Sequence, residues 1–124
     1  MGIERFEQLE VWRRAHALVL DVYRLTSALP SDQRFGLISQ MQRSAVSVPA
    51  NIVEGFKRLG QSDKIRFYNI AQGSLEELRY YLILCRDLGY RIEYDRMAVA
   101  VEDASRTLHG LIRSIERRQR REIL

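Results

Sequence analysis

Residues 97–115 read MAVAVEDASRTLHGLIRSI and carry a clear helical pattern. At about 100° per residue, seven of their apolar side chains fall within about 100° of one another around a helix axis. The members of this stripe are Met97, Val101, Ala104, Leu108, Leu111, Ile112 and Ile115. A stripe of this width is typical of a helix that packs one face against a core. We therefore predict a helix that begins at Glu93 or Asp95 and ends at Arg121 (residues 93–121).

Three further helical segments account for most of the remaining chain. We predict them over residues 6–28, 32–59 and 63–88, separated by short breaks that contain Pro30, Gly60 and Gly89. Ser31 and Ser62 are suited to cap the second and third helices, and Gly89 suits the left-handed position that follows the third. Short connections place consecutive helices side by side in opposite directions. The prediction is an all-α, antiparallel up-down-up-down four-helix bundle in one domain, residues 1–124.

Pro49 lies inside the second predicted helix. Proline lacks an N–H group, so the carbonyl of Ala45 loses its partner and the ring bends the helix. The two alternatives are a continuous helix kinked at Pro49 and a break into two helices. We favour the kink because the apolar residues keep the same phase on both sides of the proline. We expect Ser47 and Asn51, which flank the proline, to help satisfy the freed carbonyl.

The apolar faces of the first and third helices are wider than a small bundle needs. Each covers roughly 160°, whereas a surface helix needs roughly 100°. Because the bundle cannot bury such arcs against its own helices, the surplus predicts a homo-oligomer. We expect the aromatic side chains Trp12, Tyr23, Tyr68 and Tyr81 to lie in that interface. The alternative is that these aromatic residues form the partly hydrated rim of a monomer.

The basic residues are unevenly distributed along the chain. Its 124 residues include 20 Lys and Arg against 16 Asp and Glu, and Arg113 to Arg121 holds five arginines and one acid. On the fourth helix, an arginine row opposite the apolar stripe continues around the helix end: Arg106, Arg113, Arg117, Arg118, Arg120 and Arg121. Arginine binds phosphate through a planar fork, so this row is a candidate contact for a nucleic-acid backbone. The alternative is a solvated face, favoured by the helix dipole and partly neutralised by Glu102, Asp103 and Glu116.

A second polar set lies on the second helix, with its members spaced by three or four residues. It consists of Gln40, Arg43, Ser47, Asn51 and Glu54, and Arg58 continues it. One interpretation is a binding face. The interpretation we favour is a polar network that supports the proline region or a seam between subunits, because polar residues near a helix distortion usually serve the fold.

Several function classes lack the residues they need. His16 and His109 are isolated, and Cys85 lies on the apolar face of the third helix without a neighbouring base. We therefore expect no enzyme activity, no cofactor and no metal. The longest apolar run, Tyr80 to Cys85, is far too short to cross a membrane, and the first residues lack the apolar core of a secretory signal. We expect a cytoplasmic protein without a membrane partner.

The second and third helices resemble a known bacterial family. The resemblance is carried by Phe35-Gly36-Leu37, Gln40, Arg43, the stretch from Ser47 to Gly55 (SVPANIVEG), and Ala71-Gln72-Gly73-Ser74 followed by Glu77-Leu78. The resemblance covers residues 6–116, and the family is that of proteins encoded in intervening sequences of large-subunit ribosomal RNA genes. That family implies small helical bundles that assemble as ring-like homopentamers. It includes the accessory variability determinant of diversity-generating retroelements, which binds nucleic acid and the element's reverse transcriptase.

Taken together, the residues and the resemblance predict a non-enzymatic, homo-oligomeric scaffold, most simply a pentamer. We expect it to bind the backbone of RNA or DNA as an accessory protein, with a reverse transcriptase as a partner that the resemblance implies. The alternative is a protein-interaction scaffold with no nucleic-acid binding. Binding through phosphates should weaken steeply with salt, whereas binding through an apolar patch should not.

Overall fold

The computed structural model of the chain describes residues 2–123. It contains four long helices: α1 (Glu10–Ser27), α2 (Ser39–Lys57), α3 (Gln61–Asp87) and α4 (Tyr94–Ile123). The described residues form no strand, which confirms the all-α prediction. The predicted domain also includes Met1 and Leu124, which lie outside the described residues.

One hydrophobic core joins the four helices. Six of the seven residues of the α4 stripe are buried, and Leu111 is half-buried at its edge. α1 contributes Val11, Ala15, Leu18 and Val22, while α3 contributes a row that includes Leu75, Leu78 and Leu82. Each fully buried aliphatic side chain contributes about 1.5–3 kcal/mol relative to an exposed one. The periodic apolar faces therefore provide the main stabilisation of the fold.

Contacts between side chains set which helices are neighbours. Two residues of α1 bond to other helices. Thr26 Oγ1 accepts a hydrogen bond from the amide of Gln42 on α2 at 3.2 Å, and Asp21 pairs with Arg96 on α4 at 3.4 Å. Between α3 and α4, Gln72 Nε2 donates to the carbonyl of Ser105 at 3.1 Å. Each helix thus contacts the helices before and after it, and α1 also contacts α4.

The first predicted helix begins later than expected. Residues Phe6–Gln8 form a separate 3₁₀ turn, and Leu9 is extended before α1 begins at Glu10. Gln8 Oε1 accepts the backbone N–H groups of Glu4 and Arg5 at 2.8 and 2.9 Å. This side chain stabilises a tight turn instead of a continuous helix, so the predicted start at residue 6 is wrong.

The entry to α2 is irregular, and the predicted start at residue 32 is also wrong. Ser31–Gln33 form a 3₁₀ turn in which no side chain caps the N-terminus, and Arg34–Ile38 form a π-helical turn. The wider turn brings Leu37 into the core and leaves Phe35 92% exposed. α2 ends at Lys57 instead of Leu59 because Arg58 adopts an extended conformation.

α2 is continuous through Pro49, so the alternative of two separate helices is wrong. Asn51 Nδ2 donates to the carbonyl and the hydroxyl of Ser47, at 2.8 and 3.0 Å. The carbonyl group that lacks a donor because of Pro49 is that of Ala45. Asn51 bonds to Ser47 and not to this carbonyl. Ser47 and Asn51 therefore bond to each other beside the proline.

The remaining boundaries follow from local backbone geometry. α3 begins at Gln61 with Gly60 at its N-cap, so the prediction that Ser62 caps this helix is wrong. Instead, Ser62 Oγ accepts a hydrogen bond from Gln119 of α4 at 2.9 Å. Gly89 has a φ of 85°, which confirms its predicted left-handed position after α3. Within the described residues, no helix is both long and apolar enough to cross a membrane.

Candidate nucleic-acid interface

The predicted arginine row on α4 divides into two parts. Arg106 pairs with Glu102 at 3.0 Å and with Asp103 at 3.5 Å, so two carboxylates offset its charge. The other members are exposed and make no ion pair with a described acid: Arg113, Arg117, Arg118, Arg120 and Arg121. The part of the row that can accept an external anion is therefore the C-terminal half of α4.

Two contacts hold this part of α4 against the start of α3. Gln119 Nε2 donates to Ser62 Oγ at 2.9 Å, and Gln61 Nε2 donates to Glu122 Oε1 at 3.2 Å. The arginines thus extend from a helix whose end is fixed to its neighbour. A fixed helix end lowers the backbone conformational entropy that is lost when a ligand binds there.

Lys64 lies between the end of α2 and the arginines of α4. Its ammonium donates to the carbonyls of Gly55 and Phe56, at 3.2 and 2.7 Å, and so satisfies the last turn of α2. Burial, followed by the charge of Arg118, lowers the pKa of Lys64. A cation near a second cation raises the electrostatic energy of the free protein, and a bound anion would relieve it.

The end of the molecule around these groups is strongly basic. We call residues 2–14, 54–67 and 113–122 the basic end. The first two segments meet at a cleft lined by Glu4, Arg5, Phe6 and Glu7 on one side and by Val53, Phe56 and Lys57 on the other. The second and third segments are joined by the contacts between α3 and α4 described above. The basic end holds twelve basic and seven acidic residues, whereas the rest of the chain holds eight and nine. The net charge of +4 therefore arises from +5 at this end and −1 elsewhere.

The polar set on α2 does not form one continuous network. Ser74 Oγ of α3 donates to Ser47 Oγ at 2.8 Å, and Ser47 also accepts from Asn51, so these residues join α2 to α3. Glu54 pairs with Arg58 at 3.1 Å. Gln40 and Arg43 are exposed, and Arg43 makes no ion pair with a described acid. The centre of the set supports helix packing, while its two ends reach solvent.

One of the four aromatic residues expected in an oligomer interface is inside the bundle. Tyr68 is only 2% exposed and its ring packs against Gly55. Burial raises the pKa of its hydroxyl to about 12. It is therefore part of the chain's own core, and its assignment to an interface was wrong.

The other three aromatic residues reach the surface. Trp12 is half-buried, stacks on His16 at 4.9 Å between ring centroids and contacts Phe6 edge-on at 5.1 Å. Tyr23 is 46% exposed. Tyr81 is half-buried, and its hydroxyl donates to Glu77 at 3.0 Å. All three remain available as interface residues.

The sequence interpretation missed two further exposed apolar residues beside Tyr23. Leu20 is 43% exposed and Val46 is 41% exposed. Leu20, Tyr23 and Thr26 recur every three residues along α1, and Val46 follows Gln42 by one turn of α2. Because Thr26 and Gln42 are hydrogen-bonded, Tyr23 and Val46 lie beside this contact between α1 and α2, and Leu20 lies further around the outer face of α1. We call Leu20, Tyr23 and Val46 the apolar strip. In the sequence, Leu20 and Val46 could have been noticed as apolar residues that lie outside the apolar faces of their helices.

A cleft of about 600 Å³ adjoins the strip where α1 ends and α2 begins. Its lining includes Tyr23, Gln42, Arg34 and the exposed ring of Phe35. The π-helical turn Arg34–Ile38 forms one wall, and such turns frequently occur at functional sites. The sequence pattern did not predict this cleft because it treated these residues as regular helix.

The groups considered for catalysis remain apart. Cys85 is buried and lies 3.6 Å from the sulfur of Met41, and burial raises the pKa of its thiol. His16 is exposed against Trp12, and His109 is exposed on α4. Among the described residues, no three His, Cys, Asp or Glu side chains come together as metal ligands would.

Comparison with known proteins identifies the family of the chain. The family of 23S rRNA-intervening sequence proteins matches over residues 7–110. The chain belongs to this family. The matched region ends at residue 110. The arginines that follow it, from Arg113 to Arg121, therefore do not contribute to the family assignment.

A solved structure from Bacteroides thetaiotaomicron has a similar fold. It is described as a protein of unknown function from the S23 ribosomal protein family. The two chains are 24% identical with a TM-score of 0.76, over 83% of this chain and 95% of the other. No curated protein matches the chain. The intervening-sequence family and its helical fold are thus established, and neither comparison names an activity.

Proposed function

We propose that the protein is a non-enzymatic accessory scaffold that binds the phosphate backbone of nucleic acid through its basic end. The observation that carries this proposal is the separation of charge, +5 at the basic end against −1 in the rest of the chain. Within that end, five exposed arginines of α4 have no described acidic partner. Such a cationic surface is the electrostatic footprint expected of a protein that binds a polyanion.

The mode of binding follows from the chemistry of arginine. A guanidinium group can bind two phosphate oxygens at once, and the row on α4 can follow a backbone without reading base edges. Each neutralised phosphate releases counterions and adds about 0.9 to the salt slope for duplex DNA. Four neutralised phosphates would weaken binding roughly a hundred-fold between 50 and 200 mM salt.

In this proposal, the scaffold is a homo-oligomeric ring, a pentamer as in the family it resembles. Its protomer is an antiparallel up-down-up-down bundle whose α2 bends at Pro49. Support for the topology comes from α2 and α3, where Met41 contacts Cys85 and Ser47 contacts Ser74, a reversed order along the two helices. Support for assembly comes from the apolar strip, whose three residues remain 41–46% exposed in the described chain. A ring would repeat the basic end several times around one axis and so increase avidity.

A second candidate is a protein-interaction scaffold without nucleic-acid binding. The observation that favours it is the cleft beside Phe35, where an aromatic ring that is 92% exposed adjoins the apolar strip. Arg34 is the only charged residue among the described residues that line the cleft, so a partner bound there would be held mainly by apolar and neutral polar contacts. Its binding would therefore depend little on salt concentration.

The test is a titration of labelled single-stranded RNA and duplex DNA at low and at physiological salt. Wild type is compared with a variant carrying Arg113→Ser, Arg117→Ser, Arg120→Ser and Arg121→Ser. The matched control removes four arginines from the rest of the chain, Arg24→Ser, Arg86→Ser, Arg91→Ser and Arg96→Ser. We expect the first variant to lose salt-sensitive binding and the control to retain it. Absence of binding by wild type at low salt would refute the proposal and favour the second candidate.

A further inference from the structure

Two guanidinium groups lie over a single aromatic ring at the basic end. Arg58 Cζ is 4.6 Å from the ring centroid of Phe67, and Arg66 Cζ is 4.4 Å from the same centroid. Arg58 follows α2 directly, whereas Phe67 and Arg66 belong to α3. We call these three residues the stacked cluster. It joins planar groups from two elements at one point of the surface.

An acid fixes each arginine of the stacked cluster. Arg58 pairs with Glu54 at 3.1 Å, and Arg66 pairs with Asp63 at 3.2 Å. The two carboxylates offset the charges of the two arginines, so the cluster adds little to the cationic surface. The side chains of Arg58 and Arg66 nevertheless remain 42% and 59% exposed. What the cluster offers to solvent is therefore the two guanidinium planes, which are held over the half-buried ring of Phe67.

The stacked cluster lies next to the cationic residues of the basic end. Lys64 precedes Phe67 by three residues and is close enough to Arg118 for that charge to lower its pKa. The start of α3 is also bonded to the end of α4 through Ser62 and Gln119. A strand whose phosphates follow the α4 arginines can therefore bring its next nucleotides to α3.

We propose that the basic end binds single-stranded nucleic acid and that an unpaired base stacks on the cluster of Phe67, Arg58 and Arg66. This inference rests on the function proposed above and adds the form of nucleic acid that the site takes. Bases in a duplex already stack on their neighbours and present only phosphates, sugars and groove edges. An unpaired base has free faces, which bind aromatic rings and guanidinium planes.

The chain provides a matched control for this arrangement. Arg86 Cζ lies 4.6 Å from the ring centroid of Tyr94, outside the basic end. The contact has the same Cζ-to-centroid distance as Arg58 and Phe67, with one arginine instead of two, and it lies in the part of the chain whose net charge is −1. Loss of the Tyr94 ring should therefore leave binding unchanged.

The experiment measures binding to three probes by fluorescence anisotropy. They are a single-stranded oligodeoxyadenylate, an abasic oligodeoxynucleotide of equal length, and a duplex of the same length. The proteins are wild type, Phe67→Leu, the double variant Arg58→Lys and Arg66→Lys, and the control Tyr94→Leu. The lysine variant keeps the charge and removes the planar guanidinium groups. Circular dichroism establishes that each variant is folded.

We expect wild type to bind the oligodeoxyadenylate at least about five-fold more tightly than the abasic strand, the lower range for one stacked base. Phe67→Leu and the lysine variant should lose most of that preference and keep the salt slope. Equal affinity of wild type for both strands, or a preference that persists in the folded variants, would overturn the inference. If Phe67→Leu does not fold, the lysine variant gives the result. Salt-dependent binding without a base preference would leave the proposed function intact, whereas no binding to any probe would refute both.

Discussion

Gly55 is a position where adding one methyl group should destabilise the fold. An ideal Cβ at this residue would lie 2.5 Å and 2.8 Å from two ring carbons of Tyr68 and 3.2 Å from the carbonyl oxygen of Lys64. The Tyr68 ring is only 2% exposed, so it cannot move into solvent to make room. The Lys64 carbonyl belongs to the α3 backbone and is also fixed. We therefore predict that Gly55→Ala forces α2 away from α3.

The magnitude is the balance of two opposing effects. Inserting a group into a packed core usually costs about 1–3 kcal/mol, and contacts with a buried ring and a backbone atom place this site near the upper limit. Alanine is also about 1 kcal/mol more favourable than glycine inside a helix. The expected net loss is about 2 kcal/mol, which corresponds to a fall in Tm of about 8 °C for a domain of this size.

The assay is thermal and urea unfolding followed by circular dichroism at one protomer concentration. The matched control is Gly73→Ala on α3, where nothing lies within 4 Å of the added Cβ. That substitution should stabilise the protein by about 0.5–1 kcal/mol, whereas Gly55→Ala should destabilise it. A second variant, Tyr68→Leu combined with Gly55→Ala, should recover part of the loss in a double-mutant cycle. A Gly55→Ala protein as stable as Gly73→Ala would refute the steric conflict between an added Cβ and Tyr68.

Two other predictions concern pH and assembly. Because the folded-state pKa of Tyr68 is raised to about 12 from 10.0, its contribution to stability is complete below pH 10 and is lost as pH rises towards 12. Wild type should therefore lose about 2–3 kcal/mol more than Tyr68→Phe over that window, and parallel urea-unfolding curves for the two proteins would contradict this. Leu20→Glu and Val46→Glu should each lower the native mass of any oligomer while the fold is retained, whereas Val99→Glu, at an α4 residue that is 58% exposed, should not. An unchanged native mass in folded Leu20→Glu and Val46→Glu would remove the apolar strip from the interface.

The regular parts of the fold were predictable because burial imposes a period on the sequence. The stripe from Met97 to Ile115 is buried almost as predicted, and Gly89 has the expected backbone conformation. The irregular parts depend on single side chains that bond across short distances. Gln8 converts the expected start of α1 into a 3₁₀ turn, and the π-helical turn before α2 has no periodic signature. A helical period predicts that a segment is a helix more reliably than where the helix begins.

The candidate site was only partly predictable. A wide apolar arc shows that a helix has two packing surfaces, but it does not show which side chains face the chain's own core. Tyr68 was misplaced for this reason, and the glycine that admits its ring, Gly55, gave only the signal of a glycine inside a helical pattern. Arg106 was grouped with the free arginines although Glu102 precedes it by one turn. The stacked cluster could not be predicted because its residues come from two elements.

The unequal charge of the basic end and the rest of the chain affects the rate of the proposed association with nucleic acid. A body with +5 at one end and −1 elsewhere has an electric dipole along its length. In the field of a polyanion, it experiences a torque that turns the basic end forward before contact. Such steering raises association rates ten-fold or more at low ionic strength, and salt reduces the effect. In the proposed function, the distribution of arginines along the chain would therefore set the orientation of the encounter as well as the strength of the final complex.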